Sequence, residues 1–370
     1  MTVRCSPGSP GHFFVHFLRL RLADFSFDLP PELVAQHPTA ERGQSRLLVL
    51  NRATGGLSDR LFSDLPILLR RGDLLIVNNT RVFAARLLGR RLPGGGAAEC
   101  LLIRRLEAQS PNTEIWEALV HPGQRLKEGS RLELGSPGHL VHAAILDRRF
   151  HGRRRVQLWT DAASVEAAVD HAGHVPLPPY IHRSDTPIDR ERYQTVYAHE
   201  RGSIAAPTAG LHFTPEMLAM LDEAGVERAA ITLHVGYGTF QPIRVDVVED
   251  HQMDEEQYEV PDETAAAINR ALAEGRRVIA VGTTTTRALE SAATVEGRVE
   301  ATRASTNLFI VPGHRFRVVS GLITNFHLPQ SSLLLLVSAF GGREQALNAY
   351  RHAVQNRYRF YSYGDANLII

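Results

Sequence analysis

Three histidines stand where this chain could exchange a proton. They are His212 in Pro207-Thr208-Ala209-Gly210-Leu211-His212-Phe213, His234 just before Gly236-Tyr237-Gly238-Thr239, and His327 in Thr324-Asn325-Phe326-His327-Leu328-Pro329. Imidazole is the side chain whose ordinary pKa suits it to take or give a proton near neutrality. Each could equally serve as a hydrogen-bonded structural residue, so the spacing leaves His212 and His234 as alternatives for a general base. A second constellation is Gly282-Thr283-Thr284-Thr285-Thr286-Arg287, which links an apolar run to a helix at Arg287–Ala293. Free backbone N–H groups, threonine hydroxyls and the helix dipole make such a junction an anion site, although a plain capped helix start reads the same way. No Gly-Lys-Ser/Thr follows, which excludes a P-loop.

Two arginine-rich stretches offer phosphate contacts. Arg148-Arg149-Phe150-His151-Gly152-Arg153-Arg154-Arg155 reads as a basic hairpin, and Arg153, Arg154 and Arg155 are its candidate phosphate ligands. Asn356-Arg357-Tyr358-Arg359-Phe360-Tyr361-Ser362-Tyr363 interleaves Arg357 and Arg359 with aromatics, the pairing that stacks splayed-out RNA bases. A solvated turn and an ordinary strand are the plain alternatives.

The elements that would hold these groups follow an α/β plan. Strands are predicted at Arg46–Leu50 and Asp73–Val77, after a short helix starting near Phe27–Ala35. From Ala84 to Asp161 short strand-like runs alternate with Gly and Pro turns such as Gly94-Gly95-Gly96 and Pro122-Gly123, which predicts a small barrel or sandwich. Two helix–strand–loop units follow. Helix Pro215–Ala224, capped by Thr214, leads to strand Ala229–Val235. Helix Glu263–Glu274, capped by Asp262, leads to strand Arg277–Val281. In open α/β sheets ligands bind beyond the carboxyl ends of strands, where His234 and Gly282 fall. The predicted organisation is an extension at 1–21, a discontinuous α/β domain in two parts (22–83 and 166–370), and an inserted small β-barrel domain at 84–165.

Bulk properties narrow the classes. The 370 residues suggest about two domains. Lys and Arg total 41 against 40 Asp and Glu, so net charge says nothing about nucleic acid. Cys5 and Cys100 are far apart, which excludes a disulfide framework or a zinc site and suits a reducing cytoplasm. The longest apolar stretch, Leu333–Val337, is far short of the ~20 residues that span a bilayer.

The wording of several segments is more specific than their composition. Asn78-Asn79-Thr80-Arg81-Val82, Gly202-Ser203-Ile204-Ala205-Ala206-Pro207-Thr208-Ala209-Gly210-Leu211-His212-Phe213, Leu233-His234-Val235-Gly236-Tyr237-Gly238-Thr239-Phe240, Gly321-Leu322-Ile323-Thr324-Asn325-Phe326-His327 and Tyr361-Ser362-Tyr363-Gly364-Asp365 resemble the S-adenosylmethionine:tRNA ribosyltransferase-isomerase family of queuosine biosynthesis. The resemblance runs from about Leu22 to Ile370.

It implies an α/β fold with an inserted barrel and transfer, with isomerisation, of the ribosyl part of S-adenosylmethionine. The acceptor is 7-aminomethyl-7-deazaguanine at the wobble position of tRNA, and epoxyqueuosine, adenine and methionine are the products. S-adenosylmethionine is then a co-substrate, with no cofactor or metal, and the enzyme a cytoplasmic monomer with no membrane partner. Carried onto this chain, the expectation is His212 or His234 as base, with Gly282, Thr283, Thr284, Thr285 and Arg287 holding S-adenosylmethionine. The sequence departs from the family pattern at Asp254, where histidine is usual, and at Asn367, where methionine is common. A tRNA methyltransferase is the rival enzyme, but the early glycine-rich loop with an acidic ribose binder is missing. A binding-only relative is the rival from another class.

Overall fold

A computed structural model describes residues 19–240 and 242–370. The predicted extension lies outside the described residues up to Leu18. Its end is docked: the Leu20 N–H donates to Glu249 Oε1 at 3.1 Å, and Arg21 forms an antiparallel bridge with Val247.

Short apolar runs bounded by turn residues become strands. Ahead of the barrel come β1 (Arg46–Leu50), β2 (Leu57–Leu61), α1 (Leu65–Leu68), β3 (Leu74–Asn78) and β4 (Thr80–Val82). The strands β5 (Arg86–Leu92), β6 (Ala97–Ser110), β7 (Thr113–His121), β8 (Arg131–Ser136), β9 (His139–Arg148) and β10 (Arg154–Trp159) close into a barrel in the order β10-β7-β6-β5-β8-β9. Alternate residues point inward, so Leu132, Leu134, Val141, Ala143, Val156 and Leu158 fill it.

After the barrel come α2 (Val165–Ala172), α3 (Pro187–Arg192), β11 (Glu200–Ser203), α4 (Pro215–Glu223) and β12 (Glu227–Leu233). Next are β13 (Glu256–Val260), α5 (Asp262–Ala273), β14 (Val278–Val281), α6 (Thr283–Ala292) and β15 (Thr302–Thr306). The chain ends with β16 (Gly321–Asn325), α7 (Ser332–Gly341), α8 (Arg343–Gln355) and β17 (Ala366–Ile369).

One sheet of nine strands runs β15-β13-β12-β3-β14-β16-β17-β1-β2. Its centre, β12, β3, β14 and β16, is parallel. Every residue of β3, β14, β16 and β17 is buried, as expected of strands covered on both faces. Leu74, Ile76, Val278 and Ala280 join one core with Leu335 and Tyr350, while Leu75, Val77, Ile279 and Val281 join another with Phe213 and Leu221. The observed fold is thus the discontinuous α/β domain with an inserted β-barrel that the sequence implied.

Some local predictions are corrected. The helix near Phe27–Ala35 shrinks to a 3-10 turn at Pro31–Leu33. Asp262 is the first residue of α5 rather than its cap, which is Pro261. The threonine loop is not a loop: Thr283–Thr286 form the first turn of α6, after Gly282 at φ 95°. Such a backbone angle suits a residue without Cβ.

Candidate active site

At the carboxyl edge of the sheet β3 and β12 part, and Asn78 bridges the opening. Its fully buried amide donates from Nδ2 to the Leu233 carbonyl at 2.9 Å, and Oδ1 accepts from the Leu233 N–H at 3.0 Å and the Thr80 N–H at 3.1 Å. One side chain therefore replaces ladder bonds for two segments and turns the chain into β4. There Thr80 Oγ1 lies 2.8 Å from His234 Nδ1.

His234 lines a cavity of about 540 Å³ between barrel and sheet. Trp116, Glu117 and Arg153 come from the barrel; Arg201, Asp254 and Glu256 come from the α/β side. Burial lowers the His234 pKa, against the opposing pull of the Glu200 and Glu259 carboxylates. A neutral ring at pH 7 carries one bare nitrogen, as a base requires.

His212 is placed differently. It is 3% exposed and stacks on Phe62 at a centroid distance of 5.0 Å. Its Nδ1 meets Ser45 Oγ at 2.8 Å, and burial pushes its pKa down to about 4. The two candidate histidines do not share the large cavity.

Gly282, Thr283 and Thr284 line a second, smaller cavity of about 40 Å³ with Asn325 and His327. Thr284 Oγ1 and Asn325 Oδ1 are buried there without a hydrogen-bond partner among the described residues. The unpaired Thr284 hydroxyl, beside the start of α6, can donate to an anionic group, whereas Asn325 Oδ1 can only accept. The space is on the scale of one or two water molecules, enough for a carboxylate and far too small for a nucleoside. Val235 lines both cavities.

Thr285 and Arg287 are not brought to either cavity. The Thr285 hydroxyl donates back to the Val281 carbonyl at 2.6 Å. Arg287 is 3% exposed, donating to the Leu308 carbonyl at 2.9 Å and pairing with Glu256. Glu256 in turn accepts from the Gly236 N–H at 2.9 Å, so Arg287 braces the loop after His234. His327 is also buried, with Nε2 at 2.9 Å from Thr324 Oγ1 and a pKa pushed down by burial to about 3.

The basic run is a β9–β10 hairpin whose arginines are mostly engaged. Arg154 donates to the carbonyls of Gly152, Arg153 and Gly123. Arg155 pairs with Asp147 at 3.0 Å, and Arg153 with Glu117 and Asp254. Phe150 at the tip is 88% exposed. In the tail, Tyr358 and Phe360 are core residues, Arg359 donates to the His37 carbonyl, and Arg357 is exposed at φ 53°.

Reasoning from the sequence missed Asn78, Thr80 and Gly202 as site residues. Thr80 lies 154 positions from His234, so no local spacing could reveal the contact. Among the described residues no group of three or more His, Cys, Asp or Glu could hold a metal ion, and no helix is long and apolar enough to cross a membrane.

Comparison with known proteins agrees with this architecture. A model of the queuosine biosynthesis protein family matches residues 22–369. A protein of Desulfitobacterium hafniense named S-adenosylmethionine:tRNA ribosyltransferase-isomerase is 48% identical, over 95% of this chain and 100% of its own. One of the same name from Syntrophotalea carbinolica is 49% identical over the same shares. The crystal structure of an S-adenosylmethionine tRNA ribosyltransferase from Thermotoga maritima is 35% identical, covers 94% of this chain and 100% of its own, and superposes with a TM-score of 0.52. With a family match spanning nearly the whole chain and relatives this similar along it, the protein belongs to the queuosine biosynthesis protein family.

Proposed function

We propose that this protein is an S-adenosylmethionine:tRNA ribosyltransferase-isomerase that works as a cytoplasmic monomer. S-adenosylmethionine is its co-substrate, with no resident cofactor, and its partner is a tRNA anticodon arm carrying 7-aminomethyl-7-deazaguanine. The observation that carries the reading is His234, a histidine with a lowered pKa on the wall of a cavity of about 540 Å³ between barrel and sheet. That volume lies in the range of small-molecule sites.

The sulfonium of S-adenosylmethionine acidifies the adjacent ribose carbon. His234 takes that proton; the carbon pair forms a C4′=C5′ bond as C4′–O4′ breaks, and the O4′ pair makes an aldehyde at C1′ as adenine leaves with the C1′–N pair and a proton. The aminomethyl nitrogen then adds to C4′, the carbanion regenerated at C5′ closes on the aldehyde to make the cyclopentane, and the resulting alkoxide displaces methionine from C5′, closing the epoxide as methionine leaves with the sulfur electron pair. His234 is favoured over His212 because only His234 lines this cavity. Gly282, Thr283 and Thr284 bind the methionine carboxylate. Thr285 and Arg287 support the fold of that corner. For tRNA, Arg148, Phe150 and Arg357 present free surface, while Arg153, Arg154, Arg155 and Arg359 shape the walls around it.

The products test the reading. Incubation with S-adenosylmethionine and the modified tRNA should release adenine and methionine in equal amounts and leave a cyclopentane epoxide on the wobble base. S-adenosylhomocysteine as the stoichiometric product would overturn it in favour of methyl transfer, and no cofactor-derived product would mark a binding-only relative.

A further inference from the structure

We propose that Thr80 is a positioning residue that holds His234 in the Nδ1–H tautomer, so that Nε2 is the bare nitrogen of the base. The inference deepens the assignment of His234 as base and rests on it. Thr80 Oγ1 makes two contacts: His234 Nδ1 at 2.8 Å and the Glu200 carbonyl at 3.4 Å. A carbonyl only accepts, and the proposed arrangement gives the single hydroxyl hydrogen to Glu200 rather than to the ring. Thr80 Oγ1 is then an acceptor toward the ring, and in that arrangement Nδ1 carries the hydrogen. No hydrogen bond to Nε2 is found among the described residues, and the ring lines the cavity.

The backbone fixes all three participants. β4 and β11 pair in parallel with Thr80 opposite Glu200, which sets the acceptor carbonyl beside the hydroxyl. Asn78 holds the Thr80 N–H and both backbone groups of Leu233, the residue before His234. Gly202, on β11, lies against the ring itself. A Cβ there would come within 2.6 Å of Cε1, 2.7 Å of Nδ1 and 2.8 Å of Nε2, near-equal distances that mark face-on contact. Gly202 therefore prevents the ring from tilting and Thr80 prevents it from flipping. As the base takes a proton the imidazolium keeps its Nδ1–H···Oγ1 bond, so no rearrangement accompanies the transfer.

The test starts with the unaltered enzyme. Nitrogen NMR of the ¹⁵N-histidine-labelled protein, with His234 identified by its loss in His234→Gln, should show protonated Nδ1 and bare Nε2. An Nε2–H ring would overturn the proposal. Thr80→Val keeps the shape and removes the hydroxyl; kcat should fall about 10–100-fold, the usual scale for losing an orienting partner, with KM for both substrates unchanged. Thr80→Ser should restore kcat and the tautomer. Equal losses in Val and Ser variants would mean that packing, not the hydroxyl, matters, and would also overturn it. Gly202→Ala should lower kcat while leaving Thr80 intact, and wild-type kcat there would refute the ring clamp. Wild-type turnover by His234→Gln would sink the base assignment alone, because the tautomer is read separately.

Discussion

Arg153 of the barrel donates from Nη2 to Asp254 Oδ2 of the α/β domain at 2.5 Å, across the mouth of the cavity that His234 lines. The same guanidinium reaches Glu117 at 3.3 Å, so it is held from both sides of the boundary. Arg153 is 18% and Asp254 34% exposed, so the pair is part-buried but still screened by solvent, and it contributes on the order of 1 kcal/mol. Asp254→Ala should therefore lower thermal stability only slightly, and the difference from wild type should vanish near about 1 M salt, where screening acts within a few ångströms. A loss of several kcal/mol that persists in salt would show that Asp254 supports the fold in another way.

His234→Ala and His212→Ala should fail in different ways. The first should unfold at the wild-type temperature, bind both substrates, and turn over about 10²–10⁴-fold more slowly. The second removes a fully enclosed ring packed on Phe62. It should be destabilised by roughly 2–4 kcal/mol, the scale of a large-to-small core change. Differential scanning calorimetry beside single-turnover kinetics separates the two patterns.

Acid should destabilise the protein through its buried histidines. His212 and His327 have folded pKa values of about 4 and about 3, against 6.5 for the free side chain. Between those limits the unfolded chain binds more protons than the native one, so stability falls as pH drops from about 6.5 toward 4. The loss is on the order of 3 kcal/mol for each ring. Denaturant titrations at a series of pH values should show the slope, and His327→Gln should flatten it if the variant folds.

Asn367 offers a gain. It is fully buried in β17, opposite Leu48 and Thr324, and neither atom of its amide finds a partner among the described residues. Leaving such a group unpaired costs about 1–3 kcal/mol. Asn367→Leu, of similar size, should raise the unfolding midpoint, which a denaturant titration reads directly. An unchanged or lower midpoint would mean that the amide is satisfied by water in solution.

The hairpin tip should act on tRNA alone. Phe150 is 88% exposed between arginines, and a stacked base contributes about 1–3 kcal/mol. Phe150→Ala should weaken tRNA binding by that amount without changing the unfolding temperature. Arg148→Ala should weaken it and reduce the salt slope by about one. Filter-binding across salt concentrations distinguishes the two.

How far the sequence could carry this depended on range. The apolar runs at Leu74–Val77 and Val278–Val281 declared buried parallel strands, and Gly and Pro turns declared the barrel. The start of α6 was misplaced because four threonines disfavour helix locally. They are tolerated where Thr285 and Thr286 bond back to the carbonyls of Val281 and Gly282. The choice between His212 and His234 was not legible at all. The preference for His234 rests on the cavity that it lines and His212 does not, which exists only once barrel and sheet have packed together.

The order of strands also bears on synthesis. β1, near the start of the described chain, pairs with β17, the last of the described strands, as Leu47 with Ala366 through Leu50 with Ile369. The barrel strands, by contrast, are near neighbours in sequence and pair with one another all the way round, with Val165, Ala168 and Val169 of the following α2 packed on their core. On a ribosome, where amino-terminal segments emerge first, the barrel can form while the nascent chain is still growing. β1 and β2, paired with each other, must wait with the other edge of β1 open until β17 has emerged. Removing β17 would leave that edge open, and the product should aggregate rather than fold into a smaller enzyme.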